Sequence, residues 1–299
     1  MNFQNVINDP RAMRMSMFLS RHTPERIGYR LSWFLSGLIS WIKPTVYDVV
    51  WTNLSQVLGS DAGQHGLEKA TRCVFHTAIR SYYDLYRALS WPRERIFAAV
   101  KVTEAAREVF KSLWGRERGS VLVFPHLGNF DLGGQVISSM TPDMQLLTLP
   151  DPPPGFQLTN ELRMLSGVHV TPLSSVALRR AIRLLRQGGV VSIAGDRPVS
   201  DLDKPFLFFG RPARLPSGHV RLALKTGAAV IVAYCVYSAE RASYSVHCNP
   251  PLEMIRTGDR EEEIRLNMQR VLDILESIIV RWPEQWQMFV PVWPQLLKA

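Results

Sequence analysis

The chain has 299 residues, of which 46% are hydrophobic, so it can fold around a substantial core, and general disorder is not expected. The formal net charge of +9 indicates an anionic partner: a membrane surface, a phosphorylated ligand or nucleic acid. The three cysteines, Cys73, Cys235 and Cys248, lack metal-ligand spacing and indicate reduced, mostly buried thiols in a cytosolic environment.

The arginines near the start of the chain lie among tryptophans and apolar runs. Residues 26–43 read RIGYRLSWFLSGLISWIK, whereas no recognition helix, RNP-like strand or Cys/His finger is visible. This pattern favours an anionic membrane over nucleic acid as the partner. The first twenty residues carry several charges and no continuous apolar stretch, so no secretory signal peptide is expected.

Leu31 to Ile42 is the candidate membrane segment. It is too short to cross a bilayer, which requires about 20 apolar residues. Two alternatives remain open: a helix that lies in the membrane interface, and a helix buried against the main domain. At an interface, the side chains expected to face the acyl region are Trp33, Phe34, Leu38, Ile39 and Trp41.

Residues 1 to about 115 are predicted to be helical. In Leu67 to Leu89 the apolar residues recur every three or four positions, as on one face of a helix, and Pro92 ends this helix. Val102 to Leu113 is predicted to be a second, shorter helix.

From Ser120 onward, predicted strands and helices alternate. Compact apolar runs predict strands over 121–125, 144–149, 168–173, 190–196, 229–238 and 243–249. Helical spacing predicts helices over 129–138, 156–165, 176–186, 216–226 and 261–281. Alternation of this kind is typical of crossover units. It predicts the α/β class, with a mostly parallel central sheet flanked by helices.

Two regions follow from these patterns. Residues 1–115 are predicted to form an N-terminal helical region that associates with the membrane interface and packs on the core. Residues 116–299 are predicted to form the α/β core.

His126 carries the strongest chemical signal in the sequence. It follows a predicted strand, after Pro125, and precedes a Gly-Asn turn and a helix whose first turn contains Asp131. We expect the Asp131 carboxylate to reach the imidazole, fix its tautomer and raise the basicity of its other nitrogen, which can then take a proton from a hydroxyl. The N–H groups at the helix start are placed to stabilise an oxyanion. A surface pair or a capping arrangement explains the same spacing, so the spacing alone leaves both alternatives open.

The segment FPHLGNFDLGG resembles the His-x4-Asp/Glu motif of the bacterial lipid A biosynthesis acyltransferase family. That family includes lauroyl, myristoyl and phosphatidylinositol mannoside acyltransferases. The resemblance extends over roughly residues 45–295, and its blocks occur in the family's order. The further blocks are WTNLSQVLG (51–59), ELRMLSGVHVTPL (161–173), FLFFGRPARLPSGHVRLALKTGAAVIV (206–232), YSVHCNPPLE (244–253) and WPEQWQMFVPVWP (282–294).

The resemblance implies an acyltransferase that moves a fatty acyl group from acyl-CoA or acyl-carrier protein to a hydroxyl of a membrane lipid or glycolipid. It implies no cofactor and no metal. His126 would be the general base and Asp131 its charge-relay partner, while Arg163, Asp196 and Arg197 would bind substrate. The family's acidic triplet reads Gly-Asp-Arg-Pro here, so its second acidic position is not assigned.

The implied partners are the acceptor lipid, the acyl donor and an anionic membrane surface, without nucleic acid. The implied location is the cytoplasmic face of the cell membrane, as a peripheral or monotopic protein. Two other functions stay open: a non-catalytic membrane- or lipid-binding protein of the same fold, and a metal-dependent hydrolase that uses His126, Asp131 and Asp196. The sequence does not distinguish the acceptor lipid, the donor or the acyl chain length.

Overall fold

The computed structural model describes residues 9–165 and 167–297. In these residues the chain first forms helices α1 (Pro10–His22), α2 (Glu25–Ile42), α3 (Thr45–Leu58), α4 (Gly63–Ala88) and α5 (Arg93–Ala99). Strand β1 (Val100–Val102) and helix α6 (Glu104–Lys111) follow.

Strands and helices then alternate, as predicted. The next elements are β2 (Ser120–Phe124), α7 (Phe130–Met140), β3 (Met144–Thr148), α8 (Pro154–Leu165), β4 (His169–Pro172), α9 (Ser175–Arg186) and β5 (Val190–Ala194). The last are β6 (Pro205–Phe208), β7 (Arg211–Arg214), α10 (Gly218–Thr226), β8 (Ala229–Ser238), β9 (Ser243–Cys248) and α11 (Arg260–Arg281). Short 3-10 turns lie at Ser60–Ala62, Pro283–Gln285 and Pro294–Leu296.

Seven strands form one sheet in the order β1-β9-β8-β2-β5-β3-β4. The pairs β8/β2, β2/β5, β5/β3 and β3/β4 are parallel, and β9 runs antiparallel to β8. Helices cover both faces, so the central strands are buried, which explains why they read as continuous apolar runs. The predicted α/β class with a mostly parallel, helix-flanked sheet is confirmed.

Two local features were not predicted from the sequence. Val100–Val102 is a strand parallel to β9 and not part of a helix. The sequence did not predict this strand, because three residues are too few to show an alternating pattern. Phe206–Gly210 belongs to a separate antiparallel hairpin of β6 and β7. The hairpin turns at Phe209 and Gly210, both with positive φ, as a two-residue hairpin turn requires.

The division at residue 115 stays a prediction. Strand β1 lies before that point and yet belongs to the main sheet, so the sheet draws on both predicted regions. The first eight residues of the N-terminal region and the last two of the core lie outside the described residues.

Helix α2 packs on α4 through its small residues and exposes its bulky apolar ones. Gly28, Ser32 and Ser36, four positions apart, are buried. The Tyr83 ring occupies the space where a Gly28 side chain would lie. Of the side chains predicted to face a membrane, Ile39 is half-buried against the core, and the others are exposed by 40–81%: Trp33, Phe34, Leu38 and Trp41. No helix within the described ranges is both long and apolar enough to cross a bilayer.

Candidate functional site

His126 and Asp196 lie side by side at the carboxyl edge of the sheet. Phe124 of β2 pairs in register with Ala194 of the neighbouring parallel strand β5. Two residues after Phe124 comes His126, and two residues after Ala194 comes Asp196. The carboxyl edge of a parallel sheet is where α/β proteins place their ligand sites.

Asp196 is fully buried and binds His126 twice. The His126 Nδ1 lies 2.7 Å from one carboxylate oxygen, and the His126 backbone N–H donates to the other at 2.8 Å. The indole N–H of Trp286 donates to that second oxygen, also at 2.8 Å. The imidazole is therefore held by its own backbone, by a carboxylate and, through that carboxylate, by a buried tryptophan.

The charge state of Asp196 follows from these contacts. Burial by itself raises the pKa of Asp196. The charge of His126 and the hydrogen bonds from His126 and Trp286 lower the pKa by more than burial raises it, so it lies below its usual value. An ionised carboxylate only accepts hydrogen bonds, so the Nδ1–H of His126 donates to it. The Nε2 of His126 is then the nitrogen that can accept a proton.

Asp131 has a different partner from the one that its spacing predicts. Its carboxylate accepts a hydrogen bond from Arg163 Nε at 2.6 Å, and both side chains are largely buried. The expected contact between Asp131 and His126 is therefore corrected, because the carboxylate on Nδ1 comes from the neighbouring strand and not from the helix that follows His126. The catalytic role of Asp131 stays a prediction.

The two predicted arginines lie in different environments. Arg163 donates hydrogen bonds to two side chains. Its bond to Asp131 links α8 to the start of α7, and its bond to Asn160, at 3.0 Å, lies within α8. Arg197 follows Asp196 and places its guanidinium 5.4 Å from the centre of the Phe156 ring. Its buried Nε has no hydrogen-bond partner among the described residues. The structure thus brings all five predicted residues to one edge of the sheet, with Arg197 the better available cation.

An apolar cavity is lined by Phe124 and Phe130, whose rings lie next to the imidazole of His126. The ring of Phe130 meets that of His126 edge-on at 5.2 Å between centroids, and Phe130 also lines the cavity. The cavity measures about 50 Å³ and has Asp131 and Arg163 among its few polar lining residues. Its apolar lining comes from both the sheet and α7 and includes Phe124, Ile137, Met144, Leu146 and Val168.

The turn between His126 and α7 is fixed from both sides. Gly128 has a φ of +56°, and a side chain there would collide with the carbonyl of Cys235, so glycine is required. Asn129 caps α7, since its Oδ1 accepts from the Leu132 N–H at 3.1 Å. The backbone N–H of Gln287 donates to the carbonyl of His126 at 2.7 Å.

Trp286 and its neighbours are the part of the site that sequence reasoning missed. Trp286 and Trp293 pack in the core and are exposed by 1% and 0%. Trp286 also donates a hydrogen bond to Asp196, and no periodic pattern in the sequence predicts this contact. The block WPEQW (282–286) could have indicated a polar role for this segment, because it places polar side chains between two tryptophans.

In residues 9–165 and 167–297, no three His, Cys, Asp or Glu side chains are grouped as ligands for a metal ion. His126 and Asp196 are together, but Asp131 is turned to Arg163.

The fold and the site define an α/β protein with a candidate acid–base centre at the carboxyl edge of its sheet. The family described as bacterial lipid A biosynthesis acyltransferase matches residues 12–295. The chain therefore belongs to this acyltransferase family.

Similar proteins include phosphatidylinositol mannoside acyltransferases. The one from Mycobacterium tuberculosis (strain H37Rv) is 28% identical over 182 residues, which cover 58% of this chain and 54% of the relative. The one from Mycolicibacterium smegmatis is 25% identical over 180 residues, which cover 59% and 57%. The match thus spans little more than half the length of these relatives.

A solved structure, that of the 1-acyl-sn-glycerophosphate acyltransferase from Thermotoga maritima, aligns with 84% of this chain and 97% of its own. The identity is 17% and the TM-score is 0.38.

Proposed function

We propose that this protein transfers a fatty acyl group from a thioester, acyl-CoA or acyl-carrier protein, to a hydroxyl of a membrane lipid or glycolipid. The observation that carries the proposal is the buried Asp196 carboxylate on Nδ1 of His126, beside an apolar cavity. Family membership supplies the reaction class.

His126 acts as the general base. Its Nε2 accepts the proton of the acceptor hydroxyl as the oxygen attacks the thioester carbonyl, and Asp196 stabilises the imidazolium that forms. The tetrahedral intermediate then collapses, the carbon–sulfur bond breaks, and the thiolate takes up the proton. In the first turn of α7 the Asn129 side chain takes the Leu132 N–H, and the N–H groups of Phe130 and Asp131 stabilise the developing oxyanion.

The two arginines divide the remaining tasks. Arg197 binds a phosphate or another anionic group of a substrate, because the buried Nε of its half-buried guanidinium has no hydrogen-bond partner among the described residues. Arg163 lines the cavity, and its ion pair with Asp131 holds α7 in position. Asp131 is then a positioning residue in this proposal.

A membrane surface completes the proposed site. Helices α1 and α2 expose many large apolar side chains: Met15, Phe18, Leu19, Ile27, Leu31, Trp33, Phe34, Leu38, Trp41 and Ile42. Exposed arginines accompany them: Arg11, Arg14, Arg21, Arg26 and Arg30. Exposed apolar side chains accompanied by basic ones on the same two helices are complementary to an anionic lipid surface. Helix α1 also packs on α8, which carries Arg163, so this surface adjoins the site.

Product identification tests the proposal. The purified protein is incubated with labelled palmitoyl-CoA or palmitoyl-carrier protein and with vesicles made from bacterial total lipid, and the lipids are examined by mass spectrometry. We expect a lipid ester with one of the two donors, unaffected by a chelator. Loss of activity with a chelator would favour the metal-dependent hydrolase, and vesicle binding without any acyl transfer or thioester hydrolysis would favour the non-catalytic lipid-binding protein.

A further inference from the structure

Gly134 occupies an unusual position in α7. It lies in the middle of an 11-residue helix, where glycine is less favourable than any ordinary residue except proline. Its neighbour Gly133 has a packing reason, since a side chain there would come within 2.5 Å of the Cys235 Cβ. A Cβ at Gly134 would meet no other atom within 4 Å. Packing therefore explains Gly133 and leaves Gly134 unexplained.

The open side of Gly134 belongs to the cavity beside His126. Phe130, Gly134 and Ile137 follow one another along one face of α7, and all three line the cavity. Phe130 contacts the His126 ring, so the row begins at the reactive pair. At 1.5 Å per residue, Gly134 lies about 6 Å and Ile137 about 10 Å further along the helix. A tail that extends from a thioester carbonyl at His126 would pass Gly134 before it reaches Ile137.

We infer that Gly134 sets how deep an acyl tail enters this cavity, and that the missing side chain is what admits long tails. The inference rests on the proposed acyl transfer. The cavity measures only about 50 Å³, so side chains around it must turn aside for a tail, and even one added methyl group takes a large share of the space. A helix that gives up stability at this position gains room for a ligand, a trade-off frequent at functional sites.

The test compares Gly134→Ala and Gly134→Leu with a matched control, Gly66→Ala. Gly66 is also helical and also has room for a Cβ, whose nearest neighbour would be Ala62 at 3.7 Å, but it lies in α4 and does not line the cavity. The Gly134→Ala and Gly66→Ala variants should each melt about 2 °C higher than the wild type, since alanine replaces glycine in a helix. The melting temperature of Gly134→Leu is measured alongside, which separates a loss of binding from a loss of folding.

Binding of palmitate and of octanoate is then measured by calorimetric titration, which does not depend on any donor or on turnover. We expect Gly134→Leu to bind palmitate ~10-fold or more weakly, because several methylene groups lose their buried place, and to bind octanoate with a smaller loss. Gly134→Ala should lie between it and the wild type, and Gly66→Ala should bind both acids as the wild type does.

Equal loss of both acids, unchanged palmitate binding in Gly134→Leu, or a wild type that binds neither acid would overturn the inference. A wild type that binds palmitate in this length-dependent way and yet acylates no lipid would leave the inference standing and would refute the proposed function.

Discussion

The fully buried carboxylate of Asp196 connects three residues that are far apart in the sequence. It accepts two hydrogen bonds from His126 and one from Trp286, and the folded protein holds it ionised. A carboxylate in this position favours one tautomer of the imidazole and stabilises the charged ring that forms during proton transfer.

Two carboxylates near His126 can be compared directly. We expect Asp196→Asn to lower the rate of acyl transfer by about 10²–10⁴-fold, since Nδ1 loses the charge that supports proton uptake at Nε2. Asp131→Asn should have a smaller effect, because it weakens the contact to Arg163 and leaves the imidazole in place. Steady-state rates of the two variants, with circular dichroism as the folding control, decide between them. A larger loss in Asp131→Asn would restore the pairing that the sequence spacing suggests.

His219 gives a stability prediction. It is 0% exposed, neither ring nitrogen has a hydrogen-bond partner among the described residues, and burial lowers its pKa to about 4. Because the folded-state pKa is below the unfolded value of about 6.5, the unfolded chain binds the extra proton, and stability falls as the pH drops below 6.5.

Between pH 7 and pH 5 the wild type should lose about 2 kcal/mol more unfolding free energy than His219→Leu, which has no group to protonate. Urea denaturation at the two pH values measures this difference. Parallel pH profiles for both proteins would show that His219 takes up its proton equally in both states.

At the scale of elements, the helices and strands with a clear hydrophobic pattern could be predicted from the sequence. The buried strands from Ser120 onward were expected from apolar runs, and their observed bounds differ by at most about two residues. The strand Val100–Val102 and the β6/β7 hairpin were not expected, because their pairing depends on distant partners or on positive φ angles and not on periodicity.

The candidate site shows the same limit. The location of His126 after a strand could be predicted, but its partner lies 70 positions away, after another strand, and strand order is not visible in a single sequence. Both residues follow a strand by two positions, which would have been the usable signal.

Helix α2 reverses the usual amphipathic pattern, with small and polar residues inside and aromatic ones outside. If this surface binds lipid, the double variant Phe34→Glu/Trp41→Glu should bind vesicles that contain phosphatidylglycerol at least ~10-fold more weakly. Sedimentation with vesicles measures the bound fraction.

Val280→Glu provides the control, since Val280 is also exposed but lies on α11. Both proteins should keep the wild-type melting temperature, because none of the replaced side chains is buried. Unchanged vesicle binding in the double variant would remove α2 from the proposed membrane surface.

On the scale of the whole molecule, the site is assembled from segments far apart in the chain. The strand β2 supplies His126, the adjacent strand β5 supplies Asp196, and the terminal segment after α11 supplies Trp286. Of the N-terminal helices, α1 contacts α8, and α4 contacts the turn at Pro283–Gln285. The tertiary fold therefore brings the reactive pair together, and the proposed acyl transfer depends on that assembly.

The most direct measurement is the rate of acyl transfer to vesicle lipid by the wild type and by His126→Gln, with whichever thioester the wild type accepts. Glutamine keeps the backbone N–H that binds Asp196 but cannot take up a proton. We predict a folded variant that still binds vesicles and transfers acyl groups about 10²–10⁴-fold more slowly. Transfer by His126→Gln at the wild-type rate would contradict His126 as the base.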